Sequence, residues 1–353
     1  MIAVDLHTGE FFNHREVIDA LSQQHPYAEW LENVVDLDEK IGKGPEERMF
    51  ERPELLRRQA AAGLTMEDME LILSPMAEDG KEALGSMGDD SPLAVLSDGY
   101  RPLSHYFRQN FSQVTNPPID PLREERVMSL KTRFKNLGNI LADDEAQTNV
   151  FLLESPVLTN GMYTRMLDVM GEGVTVVDCT FDIEEQDDDF TGDILRNALD
   201  RIRSQAEIAV SSGREHIVLT DEHQGPNRAP IPMILAVGAV HSHLVAKGLR
   251  TFCSLTVRSA ECLDTHYYAV LIGVGATCVN AYLAQEAILD RLDRGLLGDD
   301  MTVEKALSNH KKSIEAGLLK ILSKMGISVI SSYRGGYNFE ALGLSRALCA
   351  DYF

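Results

Sequence analysis

The sequence predicts an α/β fold of mostly parallel βα units, barrel-like, with an irregular and helical N-terminal part. Two observations predict it. After residue 150, short β-rich runs alternate with helical segments, and such alternation is typical of parallel sheets. The β-rich runs are continuously apolar, as strands covered on both faces require. The series is compatible with an open sheet or with one that closes as a barrel, and we favour the barrel-like form.

The first 150 residues are polar and uneven. They predict a helix over 54–61 and a second helix from Thr65, where Thr-Met-Glu-Asp resembles a capping box. Pro75 is expected to end that second helix, because proline lacks the amide hydrogen that a helix interior needs. Loop-like sequence follows, with a helix near Leu103–Phe111. So much loop in an ordered chain indicates functional or interface surface.

The regular part of the chain begins near residue 150. Its predicted strands are Val150–Leu153, Val174–Phe181, His216–Thr220, Thr251–Val257, Ala276–Ala281 and Ile327–Ser331. The clearest helix is Asp193–Ser211, whose apolar residues recur three and four positions apart. Another helix is predicted after the prolines of Arg228–Pro232, ending at Lys247–Gly248. We therefore expect the chain to divide near residue 150.

Composition excludes several classes of function. The 353 residues contain 33 Lys and Arg against 55 Asp and Glu, a net charge of −22. A chain this acidic attracts neither nucleic acid nor an anionic membrane surface. Tyr267–Ala284 has no charged residue, but its glycines predict a helix end, a turn and a buried strand rather than a membrane span. The five scattered cysteines indicate reduced thiols and a cytoplasmic protein.

Two segments are built from residues that shape the backbone. Gly85–Asp90 places two glycines around Met87, so that backbone and a flexible apolar side chain can approach a ligand. Val114–Pro121 contains three prolines, which fix an extended path for the polar residues Thr115 and Asn116. The residue types alone favour a plain turn for the first segment, and the second can equally be a rigid connector between domains.

Other motifs indicate little chemistry. Gly273–Cys278 begins like a dinucleotide-binding loop, but Cys278 replaces the third glycine, which favours a tight turn between helix and strand. His241 and His243 are two positions apart on a helix and face different sides, so they cannot share a metal ion. The sequence therefore predicts no metal site and no catalytic residue.

One turn contains a candidate contact for an anion. Arg334 lies beside two glycines after a predicted strand, where parallel α/β folds place ligand groups. Its guanidinium is suited to a carboxylate or a phosphate. The alternative is an ion pair with Glu340 or another nearby acid, which would serve only the scaffold.

Taken together, these segments resemble a known family, the glutamate synthase large chain, in its central region. The resemblance is found in order over nearly the whole chain, in Gly85–Asp90, Pro92–Ser97, Tyr106–Gln109, Val114–Pro121, Arg228–Pro232, Val237–His241 and Lys324–Ser328. Residues 1–38, with His25–Trp30, resemble the end of the family's glutaminase domain. Residues 39–150 then correspond to the irregular part of the central domain, and 151–353 to its βα part.

The resemblance implies that the chain is one part of a larger enzyme. In the family, an N-terminal-cysteine glutaminase releases ammonia from glutamine, and a flavin-binding barrel with FMN and an iron–sulfur cluster reduces 2-iminoglutarate. The central domain between them is related to a degenerate TIM-type barrel. This chain is expected to hold no cofactor and to stop about where the flavin domain begins. Its expected partners are the glutaminase and flavin domains and an electron-donating small subunit or ferredoxin.

The family's site residues match particular positions here. Ser86, Met87 and Gly88 look like the loop that reaches the 2-oxoglutarate and flavin site. Thr115 and Asn116 look like residues beside the ammonia passage between the two active centres. Arg334 is retained, although Gly336–Asn338 departs from the commonest family form.

Two functions follow as hypotheses. In the first, the chain is the central domain of a glutamate synthase, lines the synthase site and the ammonia tunnel, and is inactive alone. In the second, it is a stand-alone α/β module that binds a small dicarboxylate such as 2-oxoglutarate. The first is favoured, because Gly85–Asp90 and Thr115–Pro121 contain few charges that would hold two carboxylates.

Overall fold

The computed structural model describes residues 1–46, 48–83, 93–111, 123–183 and 192–353. The strands are β1 Ala3–Val4, β2 Phe11–Phe12, β3 Val35–Asp36, β4 Phe107–Gln109, β5 Thr132–Phe134, β6 Phe151–Leu153, β7 Val174–Asp178, β8 Thr180–Asp182, β9 His216–Thr220, β10 Arg228–Pro230, β11 Ser254–Arg258, β12 Cys278–Asn280 and β13 Phe339–Ala341. The helices are α1 His14–Ser22, α2 Tyr27–Trp30, α3 Leu37–Ile41, α4 Arg52–Ala61, α5 Met66–Asp68, α6 Ser74–Asp79, α7 Glu124–Val127, α8 Asn160–Met170, α9 Asp193–Ser211, α10 Met233–Ala246, α11 Thr265–Gly273, α12 Tyr282–Asp293, α13 Val303–Met325, α14 Ile330–Tyr333 and α15 Arg346–Tyr352.

The central element is a parallel sheet in the order β12-β11-β9-β7. His216 of β9 lies opposite Val174 of β7 and Ser254 of β11, and Thr256 of β11 lies opposite Cys278 of β12. A parallel bridge between Val157 and Val279 adds one more segment beside β12. The predicted α/β fold with a parallel sheet is confirmed. Among the described residues, the strand pairing forms an open sheet rather than a closed barrel.

Residues from both sides of position 150 share the main core. It contains Met76 of α6 and Phe107 of β4 together with Leu255 of β11 and Ile314 of α13, all of them buried. Helix α6 packs on α13, and β4 pairs with β13 near the end of the chain. Burying this much apolar surface is what stabilises the fold.

Several predicted helices agree with the structure. The helix predicted over Asp193–Ser211 is α9 with the same bounds. The helix predicted after the prolines is α10, which ends just before Lys247, and Gly248 follows with a φ of 70°. The capping box at Thr65 is present, since its hydroxyl accepts from the Asp68 amide and its own amide donates to the Asp68 carboxylate.

The prediction that Pro75 ends the second helix is wrong. The helix that begins with α5 continues through a π-helical turn, Met69–Leu73, into α6. Because the turn is wider there, the Ser74 amide donates to the carbonyl of Met69, five residues earlier. The Ser74 hydroxyl donates to the same carbonyl at 3.0 Å. The π turn accommodates the ring of Pro75 and its missing amide hydrogen without ending the helix.

Two further predictions are corrected. Leu103–Phe111 is not an α-helix: Leu103–Tyr106 is a 3-10 turn, and β4 follows it because Phe107–Gln109 finds a partner in β13. Ile327–Ser331 is not a strand, since only Val329 forms a bridge, to Ser129, before α14 begins. Local β-branched content favoured a strand here, but no strand among the described residues lies alongside.

Of the remaining predicted strands, His216–Thr220 is β9 with the same bounds, and the others shift in bounds or in partner. Val174–Phe181 divides into β7 and β8, and β8 turns away to pair with β10. The strand predicted over Val150–Leu153 exists as β6, but it pairs with β3 and β5 in a separate three-stranded sheet. The hydrophobic pattern identifies strands, whereas the choice of partner depends on long-range contacts.

Candidate functional site

The carboxyl ends of β7, β9, β11 and β12 meet at one edge of the sheet, which we call the carboxyl edge. Asp178, Thr220, Arg258 and Asn280 end these strands. Ligand sites of parallel α/β folds lie at this edge, because loops from neighbouring strands converge there. A catalytic or binding centre is therefore expected at the carboxyl edge.

Arg258 occupies the middle of the carboxyl edge, and its side chain is 3% exposed. Its Nε and Nη2 donate to the Glu222 carboxylate at 2.9 and 3.2 Å, and its Nη1 donates to Asn280 Oδ1 at 2.6 Å. The guanidinium also lies 4.5 Å from the ring centroid of Tyr163 and 4.8 Å from that of Tyr282. A bidentate, stacked arginine of this kind is held firmly in one place.

Amide side chains continue the network next to Arg258. Asn280 Nδ2 donates to Asn160 Oδ1 at 3.0 Å and to the Leu158 carbonyl at 3.1 Å. Gln285 accepts from the Asn160 amide at 2.8 Å and donates to the same Leu158 carbonyl at 3.0 Å. The polar groups of this network hydrogen-bond to one another, as buried polar groups must.

The N-terminal part of the chain covers the carboxyl edge. The Glu286 carboxylate accepts from the backbone amides of Met49 and Phe50, and Met49 Sδ lies 2.9 Å from Arg258 Nη2. Arg58 donates to the Glu222 carbonyl at 2.7 Å and stacks on the ring of Phe50. Because the chain's own side chains take up these hydrogen bonds, Arg258 and Asn280 are not free to bind a substrate.

Asp221 follows β9 and is fully buried. Both of its carboxylate oxygens accept from the Ala260 amide, at 3.0 and 2.8 Å. Burial raises the pKa of Asp221 to about 7, although the hydrogen bond from Ala260 opposes the rise. A carboxyl with such a pKa holds its proton in the folded chain at mildly acidic pH.

The Asp221→Asn variant is expected to remove a pH dependence of stability. Between about pH 4 and pH 7 the unfolded chain loses the Asp221 proton and the folded chain keeps it, so folding stability falls as the pH rises. Asparagine keeps an oxygen for the Ala260 amide but does not titrate. We expect the free energy of unfolding of wild type, relative to the variant, to fall by about 2–4 kcal/mol from pH 4 to pH 8. Urea unfolding at both pH values measures this, and a constant difference contradicts it.

A polar cleft lies beyond the carboxyl edge, with a volume of about 330 Å³. Its wall includes Tyr100, His105, Glu261, Asp264 and Tyr267. Burial raises the pKa of Glu261, which accepts hydrogen bonds from the Met233 amide and the Tyr267 hydroxyl. Burial also lowers the pKa of His105. Acids and bases with shifted pKa values in a cleft are typical of sites that bind polar ligands.

Most of the predicted site residues lie outside the described residues. These are Ser86, Met87 and Gly88 of the first loop, and Thr115 and Asn116 of the proline-rich segment. Arg334 is described, and it ends α14 at the opposite end of the sheet from Arg258. Its alternative role is not observed, because no ion pair joins Arg334 to Glu340 or to another acid within the described ranges.

Sequence reasoning missed the residues of the carboxyl edge. A signal was present, since Asp221 and Arg258 directly follow predicted strands and Asn280 is the last residue but one of another. The turn at Gly273–Cys278 was predicted correctly and joins α11 to β12. His241 and His243 do face different sides: His241 accepts from Arg250, and His243 hydrogen-bonds Glu207.

In the part of the chain that the structure describes, every helix is too short or too polar to span a lipid bilayer.

Comparison with known proteins agrees with the resemblance found in the sequence. Residues 57–345 match the family model described as glutamate synthase central domain. The chain is 62% identical to the glutamate synthase (NADPH) large chain of Azospirillum brasilense, over 100% of this chain and 23% of that protein. It is 40% identical to the corresponding large chain of Bacillus subtilis, over 100% and 22%.

A ferredoxin-dependent relative matches as well. The chain is 40% identical to ferredoxin-dependent glutamate synthase 2 of Synechocystis, over 99% of this chain and 23% of that protein. The chain thus spans less than a quarter of the length of these curated relatives. Since the family model covers most of the sequence, the chain belongs to the glutamate synthase central domain family.

Proposed function

We propose that this chain is the central domain of a glutamate synthase, which converts glutamine, 2-oxoglutarate and reductant into two glutamates. In that enzyme the chain lines the synthase site and the ammonia tunnel and supplies no catalytic group. The observation that carries this proposal is the filled carboxyl edge in a chain of this family. Arg258 donates there to both Glu222 and Asn280, where a barrel enzyme would bind its substrate.

The proposed contacts with substrate are in the two segments that the family resemblance identifies. We assign Ser86, Met87 and Gly88 to the wall of the 2-oxoglutarate and flavin site, and Thr115 and Asn116 to the wall of the tunnel. A tunnel is needed because ammonia in bulk water is protonated or lost before it reacts with the keto acid. A rigid conduit that excludes water holds it for attack.

The other parts of the reaction belong to the remainder of the longer relatives. Residues 1–38 would end a glutaminase domain, 39–150 and 151–353 would form the central domain, and a flavin domain would follow. FMN and an iron–sulfur cluster would be held there, with electrons from a small subunit or from ferredoxin. We place the enzyme in the cytoplasm.

The purified 353-residue chain is expected to form no glutamate and to hold no stoichiometric flavin. The reason is that the described residues of the carboxyl edge hydrogen-bond to one another and leave no catalytic group free. Visible absorbance tests for flavin, and an assay with glutamine, 2-oxoglutarate and reductant tests for turnover, after circular dichroism has shown that the chain is folded. Turnover by the folded chain, or a flavin spectrum, contradicts the proposal.

Calorimetric titration separates this proposal from a stand-alone binding module. As a central domain, the folded chain is expected to bind 2-oxoglutarate no more tightly than millimolar, because the flavin domain supplies the rest of that site. Submillimolar binding by the chain alone favours the module. The same titration with succinate is the control for binding of any dicarboxylate.

A further inference from the structure

Two arginines lie together at the amino end of the sheet, opposite the carboxyl edge. Arg250 is in a 3-10 turn, Arg250–Phe252, just before β11, and Arg334 directly follows α14. Both lie beside the His241 ring, since Arg250 Nε donates to His241 Nδ1 and the backbone of Gly335, next to Arg334, packs against the same ring. We call them the arginine pair.

Arg250 donates its hydrogen bonds to neutral acceptors. Its Nη1 donates to the Cys253 carbonyl at 2.7 Å, and its Nη2 donates to the Gly275 carbonyl at 2.8 Å. Its Nε donates to His241 Nδ1 at 3.0 Å. Burial, together with the two nearby arginines, lowers the pKa of His241 to about 3, so this imidazole is neutral at physiological pH. None of these acceptors balances the charge of Arg250.

Arg334 is left without partners along one edge of its guanidinium. Its Nε and Nη2 are shielded from solvent and have no hydrogen-bond partner among the described residues. These two nitrogens point their N–H groups in parallel from the same edge, which is the arrangement that binds a carboxylate in two parallel hydrogen bonds. Burial also lowers the pKa of Arg334 to about 10, where the group is still charged at neutral pH.

The buried positive charges of the arginine pair require an anion to neutralise them. An unpaired buried charge is strongly unfavourable, and two like charges side by side increase that cost. In the described ranges no carboxylate forms an ion pair with either arginine. The C-terminal carbonyls of a helix as short as α14, four residues long, offer little compensation.

The chain on either side of Arg334 lies at the surface. Ser331, Ser332 and Gly336, which flank Arg334 in sequence, are exposed. Gly335 has a φ of 67°, and a Cβ there would lie 3.0 Å from the His241 ring. The backbone at Gly335 thus packs closely against the His241 ring, next to the arginine pair.

We propose that the arginine pair is a receptor for a carboxylate, held by Arg334 Nε and Nη2 and by the positive field of Arg250. The carboxylate comes either from a small free carboxylic acid or from an aspartate or glutamate elsewhere in the longer protein. Both sources offer the same planar oxyanion to the same guanidinium edge. This site is independent of the proposed function, because it lies away from the carboxyl edge.

The test uses hydrogen–deuterium exchange of the whole protein that contains this chain, read over residues 329–340. Sodium formate replaces sodium chloride at equal ionic strength, and wild type is compared with Arg334→Met and Arg334→Lys. Arg346→Met, which removes an exposed arginine, is the control. If a free acid is the natural ligand, formate at ten times its dissociation constant slows exchange about tenfold in wild type and the control, less in Arg334→Lys, and not in Arg334→Met.

If the carboxylate belongs to the protein, formate has no effect and Arg334→Met exchanges faster than wild type in both salts, since an existing pair is broken. Both results support the receptor. It is overturned if formate acts equally on wild type and Arg334→Met. It is also overturned if formate has no effect and Arg334→Met exchanges as slowly as wild type or more slowly, because methionine relieves a buried charge that nothing neutralises.

Discussion

The Arg258→Ala variant is expected to lose about 3–5 kcal/mol of folding stability. The substitution removes three charge-assisted or polar hydrogen bonds and leaves the buried Asn280 side chain with an unpaired oxygen. Glu222 loses its bidentate partner, and a cavity opens between the rings of Tyr163 and Tyr282. Urea unfolding followed by circular dichroism measures the change.

Two comparison variants make this prediction specific. Arg258→Lys keeps the charge but cannot reach Glu222 and Asn280 with one planar group, so we expect about half of the loss. Arg214→Ala removes an exposed arginine and should change stability by less than about 0.5 kcal/mol. A loss at Arg258→Ala no larger than that of Arg214→Ala would show that the carboxyl edge is not held by this network.

The second large effect is expected at the turn before β12. Gly275 has a φ of 123°, and a Cβ there would overlap the His241 ring and lie 2.8 Å from His241 Cβ. Its carbonyl also accepts from Arg250. Gly275→Ala therefore combines an unfavourable backbone conformation with overpacking, and we expect it to cost about 3 kcal/mol.

Gly173→Ala is the matched control for this variant. A Cβ on Gly173 would meet no atom within 4 Å, and its φ is outside the left-handed region. We expect that substitution to change the melting temperature by less than about 1 °C, while Gly275→Ala lowers it by about 4 °C. Equal effects of the two substitutions would argue against close packing of His241 on the turn.

Local sequence patterns correctly predicted the elements whose structure is determined by the period and propensity of their own residues. The apolar stripe of Asp193–Ser211 and the continuous apolar run of His216–Thr220 each correspond to one element with the predicted bounds. In both, period and length agree with the structure because burial and propensity favour the same element.

Patterns failed where a distant segment decides the structure. Ile327–Ser331 has the composition of a strand, but the described residues offer it one bridge, to Ser129, and α14 forms instead. Pro75 is a helix breaker by itself, yet the π turn before it and the packing of α6 on α13 keep the helix intact. Tertiary contacts outweigh local propensity at both places.

The same contrast between local patterns and distant contacts applies to the candidate site. The residue types at Arg334 left open an anion contact or an ion pair within the scaffold, and the structure adds that one edge of its guanidinium is buried without a partner among the described residues. No spacing in the sequence indicated that Arg258, Glu222 and Asn280 would meet, because they come from three different strand ends and turns. The topology of the sheet brings them together.

The ratio of glutamate formed to glutamine consumed by the full-length enzyme tests the central claim most directly. If this chain forms the wall of the ammonia tunnel, Asn116→Ala in the full-length enzyme lowers that ratio and releases free ammonia, while glutamine hydrolysis continues. The matched control Asn197→Ala, on the exposed side of α9, keeps the ratio of wild type. An unchanged ratio with Asn116→Ala, together with wild-type rates, would contradict the account.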